Sequence, residues 1–380
     1  MRRLLQLLLA AAFYAVLPVR ADDSIDRNAP DFVRAYVVTV GPGGALFSCA
    51  GHAFIRMKCP KFKLDYCFSY ESEDVADRVL TFFSGRLKMG MFSVPTADYL
   101  RQYTGTGRSI RQYELNLPSS VKQDLWKILD GKASEGINLR YDYIGRGCAW
   151  SILTSLKEAL RTVSVELAPW PEKYRHTRRE IIGESISDYP WTRFAIHAIV
   201  GSDVDFGERT LEKVVLPTDV VEFLQGAKIG GVPILSVKPE EIQSQQAVSC
   251  CGWFTPTVMA TLFVFIALVN LFLRGHFLDW TILSLHTLSG SFFTYLVLFS
   301  NLPATTWNWL LVPFNVLPIL LWKWRQYWAI YFVLVLAVWE LFMLCYPHQL
   351  TDPAYLVLTL GFLFFYLKVF FSCRKEFIHE

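Results

Sequence analysis

Residues Arg146–Val163 read "RGCAWSILTSLKEALRTV". Beyond Gly147, the apolar residues Ala149, Ile152, Leu153, Leu156, Leu160 and Val163 recur at the spacing of one helix face. The pattern predicts a helix with Cys148 at or just before its N-terminus. Such a terminus presents unpaired backbone N–H groups and a partial positive charge. Both favour a thiolate over a thiol. The same N–H groups can donate to an oxyanion during acyl transfer, and Gly147 permits close approach of backbone and substrate. A cysteine alone at a helix start is more often packing, because cysteine is among the most buried residue types. A nucleophile needs a base.

A candidate base lies upstream, in "SCAGHAFIRM", Ser48–Met57. Residues 52–57 read as a short strand. Its period of two puts His52, Phe54 and Arg56 on one side and Ala53, Ile55 and Met57 on the other. Packed against the Cys148 helix, His52 can act as general base for the sulfur. Geometry, rather than sequence distance, defines such pairs. The neighbouring pattern predicts strands at 35–40 ("AYVVTV", broken by "GPGG"), 64–70 and 109–117, and a helix at 119–130 capped by Ser119 or Ser120. Tyr70, Glu71 and Asp142 are candidates to orient His52, with Tyr70 preferred. His197 reads as a satisfied core histidine and His176 as part of a solvated helix face. Arg108 and Arg111 suit either a lipid phosphate or an ordinary strand surface.

The flanks tell where this domain sits. "MRRLLQLLLAAAFYAVLPVRA", 1–21, has the basic start, apolar run and small final residue of a secretory signal. Residues 22–249 carry 28 Lys+Arg and 29 Asp+Glu. That near-neutral balance argues against nucleic acid as a partner. Five apolar stretches follow, at about 254–273, 279–300, 304–322, 326–346 and 354–372, each near the ~20 residues a helix needs to cross a bilayer. Arg274, Lys323, Arg325, Lys368, Arg374 and Lys375 flank alternate ends, a positive-inside pattern with the first domain outside and the C-terminus cytoplasmic. Glu340 and His286 lie within these stretches, as functional groups or as hydrogen-bonded packing residues. Asn308 either lines a headgroup site or caps a helix. Residues 226–252 read as a linker to a transmembrane region at 253–380.

Of the eight cysteines, Cys49, Cys59, Cys67 and Cys148 are in the exported part. Export permits one disulfide among Cys49, Cys59 and Cys67, with the pairing open. Cys250 and Cys251 fall at the membrane edge. No metal-ligand spacing, phosphate loop or dinucleotide fingerprint occurs, so no cofactor is expected.

"GPGGALFSCAGHAFIRM", "FFSGRLKMGMF", "GRSIRQYELNL", "YDYIGRGCAW" and "VVLPTDVVEFL" occur in the order seen in the Lnb-type bacterial lipoprotein N-acyltransferases. "FSNLPATTWNWLLVPFNVLP" resembles that family's membrane signature. The resemblance implies an α+β fold: a circularly permuted papain-like, NlpC-like extracytoplasmic domain at 22–225, followed by an all-α five-helix transmembrane domain. It implies a thioester mechanism with Cys148 as nucleophile and His52 as base. A phospholipid would be the acyl donor, and diacylated lipoproteins the acceptors, at the inner membrane with the catalytic domain in the periplasm. The chain departs from the family pattern at Gly147 (usually Asn), Trp150 (usually Thr), Glu71 (usually Gly) and Asn301–Leu302, where a histidine often precedes the proline. Two other classes fit the residues: a membrane-tethered cysteine peptidase or amidase acting on cell-wall peptides, and a non-enzymatic binding module in which Cys148 is structural.

Overall fold

The computed structural model describes residues 26–43, 48–73, 77–142, 144–169, 176–205, 216–245, 252–345 and 352–379. The signal segment 1–21, Cys250, Cys251 and the side chains of Arg374 and Lys375 lie outside the described residues. In the first domain the strands are β1 (Arg34–Val40), β2 (His52–Cys59), β3 (Leu64–Ser72), β4 (Lys88–Pro95), β5 (Ile110–Glu114), β6 (Leu139–Arg140), β7 (Lys228–Ile229), β8 (Val232–Pro233) and β9 (Glu240–Gln243). Its helices are α1 (Val79–Phe83), α2 (Thr96–Arg101), α3 (Ser119–Ser134), α4 (Cys148–Ala159), α5 (Arg178–Ser185), α6 (Pro190–Ile199) and α7 (Pro217–Gln225).

Alternation along the strands builds a two-sided antiparallel sheet in the order β6-β4-β3-β2-β1-β5-β9. Val37 pairs with Ile55, and Ile55 with Phe68. With Ala35, Ala53 and Met57 they form the face beneath α3, α4 and α7, against Leu125, Leu129, Ile152, Leu156 and Leu224. Each fully buried aliphatic or phenyl side chain contributes about 1.5–3 kcal/mol here. The opposite face holds Tyr36, Val38, Phe54 and Cys67 under Tyr99 and Tyr103. Helix α3 starts at Ser119, so its N-cap is Pro118 rather than a serine, and Ser119 instead donates to the Arg27 carbonyl. The stretch read as a linker folds back: Glu240 and Glu241 pair with Gln112 and Arg111 as an edge strand. Cys49, Cys59 and Cys67 are buried, and no disulfide joins them. Cys67 faces Thr96 on α2, and Cys49 packs with Ile144 and Ile182, so the permitted disulfide does not form.

The second part contains α8 (Pro256–Phe272), α9 (Phe277–Leu298), α10 (Leu317–Leu320), α11 (Arg325–Cys345) and α12 (Pro353–His379). Residues 277–298, 327–345 and 353–373 are long and apolar enough to cross a membrane, and α8 is a shorter apolar helix. Leu262, Phe265, Leu285, Leu288, Leu334 and Val338 point outward. An outward apolar surface is stable only against lipid or a partner.

The expected helix at 304–322 is not one helix. It consists of a turn at Trp309–Leu311, the single-turn α10 and a turn at Trp322–Trp324. Pro313 and Pro318 remove backbone donors and clash with a continuous ladder. The freed groups are satisfied by side chains, as a low-dielectric setting demands. Asn308 accepts from Leu310 N–H, Asn315 accepts from Leu317 N–H and donates to the Val312 carbonyl, and His286 Nε2 donates to the Pro313 carbonyl at 2.8 Å. Asn308 is therefore a cap. His286 Nδ1 accepts from the Tyr366 hydroxyl, so this histidine is a saturated packing residue. Glu340 accepts from Thr359.

The two parts are joined by backbone and side-chain bonds. Gly201 N–H donates to the Ala304 carbonyl at 2.7 Å, and Asn301 N–H to the Ser84 carbonyl at 3.2 Å. A β-carbon at Gly201 would lie 2.0 Å from the Thr306 carbonyl oxygen, so only glycine allows this approach. Asn308 Nδ2 donates to the Ala198 carbonyl, and Arg193 pairs with the buried Asp352 at 2.8 Å.

Candidate active site

Helix α4 opens on Cys148, preceded by the extended N-cap Gly147. Among the described residues, chain neighbours aside, nothing lies within 4 Å of where a Gly147 β-carbon would stand. His52 is the first residue of β2 and is paired with Val40. The chain enters that position through Gly51 at φ +80°, where a β-carbon would strike the Val40 carbonyl. The sharp turn thus puts the imidazole at the strand end, where the N-terminus of α4 reaches it.

Cys148 and His52 face each other closely enough for each charge to act on the other. His52 Nε2 lies 2.8 Å from Ser69 Oγ, which leaves Nδ1 for the sulfur. Ser69 donates its one proton to Glu71 Oε1 at 2.7 Å. Nε2 must then be the donor toward Ser69. Tyr99 closes the network, with its hydroxyl against Glu71 Oε1 and 2.7 Å from Ser69 Oγ. Glu71 Oε1 is 3.8 Å from the imidazole nitrogen. Ser69, Glu71 and Tyr99 therefore hold His52 in one orientation and one tautomer.

The charges of the pair support each other. Burial by itself raises the Cys148 pKa. The neighbouring imidazolium, its hydrogen bond and the Ala53 and Ala149 N–H groups outweigh this, and the thiol titrates below its ordinary value. Burial by itself lowers the His52 pKa. The thiolate, its hydrogen bond and the Glu71 charge outweigh this, while Arg108 opposes them, and the imidazole titrates above its ordinary value. Both directions favour a thiolate–imidazolium pair. Cys148 as a whole is half-buried. An ionised sulfur at a helix N-terminus, beside a proton donor, can attack a carbonyl carbon and protonate the group that leaves.

Tyr70 stands elsewhere. It projects from the opposite face of β3, next to Trp150, and its buried hydroxyl has no hydrogen-bond partner among the described residues. Ser69 occupies the orienting position assigned to Tyr70 from sequence. Asp142 accepts from Ile144 and Gly145 N–H groups and shapes the turn before Cys148 instead. Arg108 Nε donates to the Gly41 carbonyl at 2.8 Å and the guanidinium lies over the Tyr103 ring, at the edge of the same network. Arg111 is exposed on β5. His176 is exposed beside Glu180. His197 is buried, but neither ring nitrogen has a partner among the described residues, and burial pushes its pKa down to about 4. It is a core histidine without the hydrogen bonds expected of one.

Tyr141 was not anticipated. Its phenol is within electrostatic reach of Cys148, and its ring packs on Phe82 at 6.1 Å. Phe82 shares a cluster with Leu87, Ile199, Leu296 and Leu302, and Phe83 stacks edge-on against Phe292 of α9. One ring therefore separates the neighbourhood of the sulfur from the apolar helices.

Fold and site together define a class: an antiparallel α+β domain bearing a cysteine–histidine pair, docked on helices apolar enough to cross a membrane. Residues 21–180 match the family model of the Lnb N-terminal periplasmic domain, in agreement with the resemblance of the sequence to the Lnb-type lipoprotein N-acyltransferases. The match includes His52, Ser69, Glu71, Tyr99 and Cys148, and ends before α6 and the apolar helices. The chain is a membrane protein with a periplasmic domain. Neither the curated proteins nor the solved structures include a match to the chain.

Proposed function

We propose that the protein is a lipoprotein N-acyltransferase working through a Cys148 thioester. The Cys148 thiolate attacks the ester carbonyl carbon of a phospholipid. The ester C–O bond breaks, His52 gives its proton to the departing alkoxide, and a lysophospholipid leaves. In the second half the α-amine of a lipid-modified N-terminal cysteine attacks the thioester carbonyl. His52 takes the amine proton, the C–S bond breaks, and an amide results. Splitting the transfer in two needs only one lipid substrate at the sulfur at a time.

The observation that carries this reading is the juxtaposition of Cys148, at the N-terminus of α4, with a His52 held by Ser69 and Glu71, in a domain contiguous with the membrane helices. An amine must win over water at the thioester, and a site opening toward lipid favours that. The charge pattern supports a periplasmic site. The segment 301–324 starts against Gly201 and ends with Trp322 against Trp280, as a broken crossing between α9 and α11 would. With α8, α9, α11 and α12 as the other crossings in this proposal, Arg274, Lys323, Arg325 and Lys368 share the cytoplasmic side.

The test is the intact mass of full-length protein incubated with phospholipid. One fatty acyl increment on the peptide carrying Cys148 is expected, and Cys148→Ala abolishes it with a rate loss of at least about 10³-fold. Undiminished N-acylated lipoprotein in a strain relying on Cys148→Ala overturns the reading. Cleavage of cell-wall peptides without lipid would point to the peptidase class instead.

A further inference from the structure

Between β4, β6 and the outer end of α9 lies a cleft of about 430 Å³ lined by Gly85, Arg86, Lys88, Asn138, Arg140 and Asn301. Three of the six are cationic and none is acidic. Lys88 and Arg140 stand directly opposite each other across the β4–β6 ladder. Like charges in that arrangement repel and weaken a strand pair. Arg86 lies two residues before Lys88 and adds a third positive charge to the same cleft. Among the described residues none of the three makes an ion pair, and the nearby Glu73 carboxylate is engaged by Arg78 and by the Lys88 backbone N–H. A short two-residue strand that opposes two cations is stabilised by an anion between them.

The surroundings identify the anion's carrier. Asn301, at one wall, is bonded through its N–H to Ser84, and the next residue, Leu302, belongs to the apolar cluster with Phe82, Leu87 and Leu296. That cluster is buried, but Leu298 and Phe299, three and two residues before Asn301, are exposed, so the cleft has a cationic wall on the periplasmic domain and an apolar neighbour at the end of a membrane helix. On its other side, Arg140 is followed by Tyr141, whose N–H is bonded to the Leu87 carbonyl and whose phenol is within electrostatic reach of Cys148. A molecule bearing a phosphate and acyl chains fits both requirements, whereas a free phosphate uses only the first. Arginine and lysine together bind phosphate by directed hydrogen bonds and by point charge.

We infer that Arg86, Lys88 and Arg140 form a binding site for the phosphodiester of a phospholipid, held so that its ester-linked chains lie against the exposed Leu298 and Phe299 at the outer end of α9. The identity of that lipid as the acyl donor rests on the function proposed above; binding itself does not.

Binding is therefore measured without turnover, in full-length protein carrying Cys148→Ala. Native mass spectrometry in detergent compares phosphatidylethanolamine, diacylglycerol with the same chains, and inorganic phosphate. Occupancy by phosphatidylethanolamine is expected to fall about tenfold when Arg86, Lys88 and Arg140 are all changed to Gln, the scale of one lost phosphate anchor. Occupancy by diacylglycerol is expected to change by less than about twofold. Arg140→Lys, which keeps the charge, is expected to retain most of the phosphatidylethanolamine. Equal loss of both lipids, or no loss of either, overturns the site, as does displacement of the lipid by millimolar inorganic phosphate, which would mark a free-phosphate site. A thermal melt of the triple variant no lower than that of its parent shows that folding is intact. If the chain with Cys148 intact forms no thioester yet binding behaves as stated, the lipid site stands and the acyl-transfer reading falls.

Discussion

Two histidines, one in each part of the molecule, are held by two hydrogen-bonded nitrogens and do opposite things. His52 faces a sulfur that can ionise and a hydroxyl that relays to a carboxylate, with 18% of its side chain exposed. His286 is fully enclosed between the Tyr366 hydroxyl and the Pro313 carbonyl, with the Phe362 ring 4.6 Å away. Its partners are a phenol and a main-chain carbonyl, and the ring serves to close the broken segment. The partners, more than the burial, decide whether a histidine is chemical or structural.

That contrast can be tested by removing each ring. His52→Ala is expected to lower the rate of thioester formation about 10²–10⁴-fold, read by rapid-quench mass analysis, with little loss of folded protein. A loss of less than tenfold would mean another group activates the sulfur. His286→Ala should do the reverse. It strands the Pro313 carbonyl and the Tyr366 hydroxyl and leaves a void, destabilising by about 2–5 kcal/mol, visible as a lower thermal midpoint in detergent. Per folded molecule, thioester formation should persist.

Smaller changes sharpen the comparison further. Glu71→Gln removes a negative charge that favours the imidazolium. The His52 pKa, raised in the folded protein, should fall, and the basic limb of the pH–rate profile should move to lower pH. The rate near neutrality should drop about tenfold. A rate loss with an unmoved basic limb would mean that Glu71 acts only on packing. Tyr70→Phe is the smallest. Its hydroxyl is buried without a partner, so its removal should leave the rate within about twofold and stability unchanged or higher by about 1 kcal/mol. Loss of thioester formation in this variant would restore Tyr70 to the site.

Much of the layout of the candidate site was legible because it follows local periodicity. The apolar spacing after Gly147 predicted α4, and the alternation around His52 predicted β2. The orienting residue was missed by one position. Arg56 pairs with Cys67, so parity along β3 puts Ser69 and Glu71 on the His52 side and Tyr70 on the other. That register is a tertiary fact, invisible without knowing which strands pair. Tyr99 comes from α2 on the far face of the sheet, and nothing in its local pattern points to Glu71. Hydropathy measured the apolarity of 304–322 correctly but carried no information on where its backbone groups would bond. Pro313, Pro318, Asn308 and Asn315 were the available signs of a break. The edge strand Glu240–Gln243 was hidden because its charged residues have little strand propensity; its partner β5 supplies the ordering.

The junction at Gly201 has a mechanical consequence. The periplasmic domain rests on the membrane region partly through main-chain bonds, from Gly201 to Ala304, Ser202 to Trp307 and Asn301 to Ser84. Most exchanges of one side chain for another leave such bonds intact. The elevation of the sulfur relative to the helix ends is accordingly set by the lengths of the connecting segments. Adding or deleting residues there would change how far the sulfur stands from the helix ends.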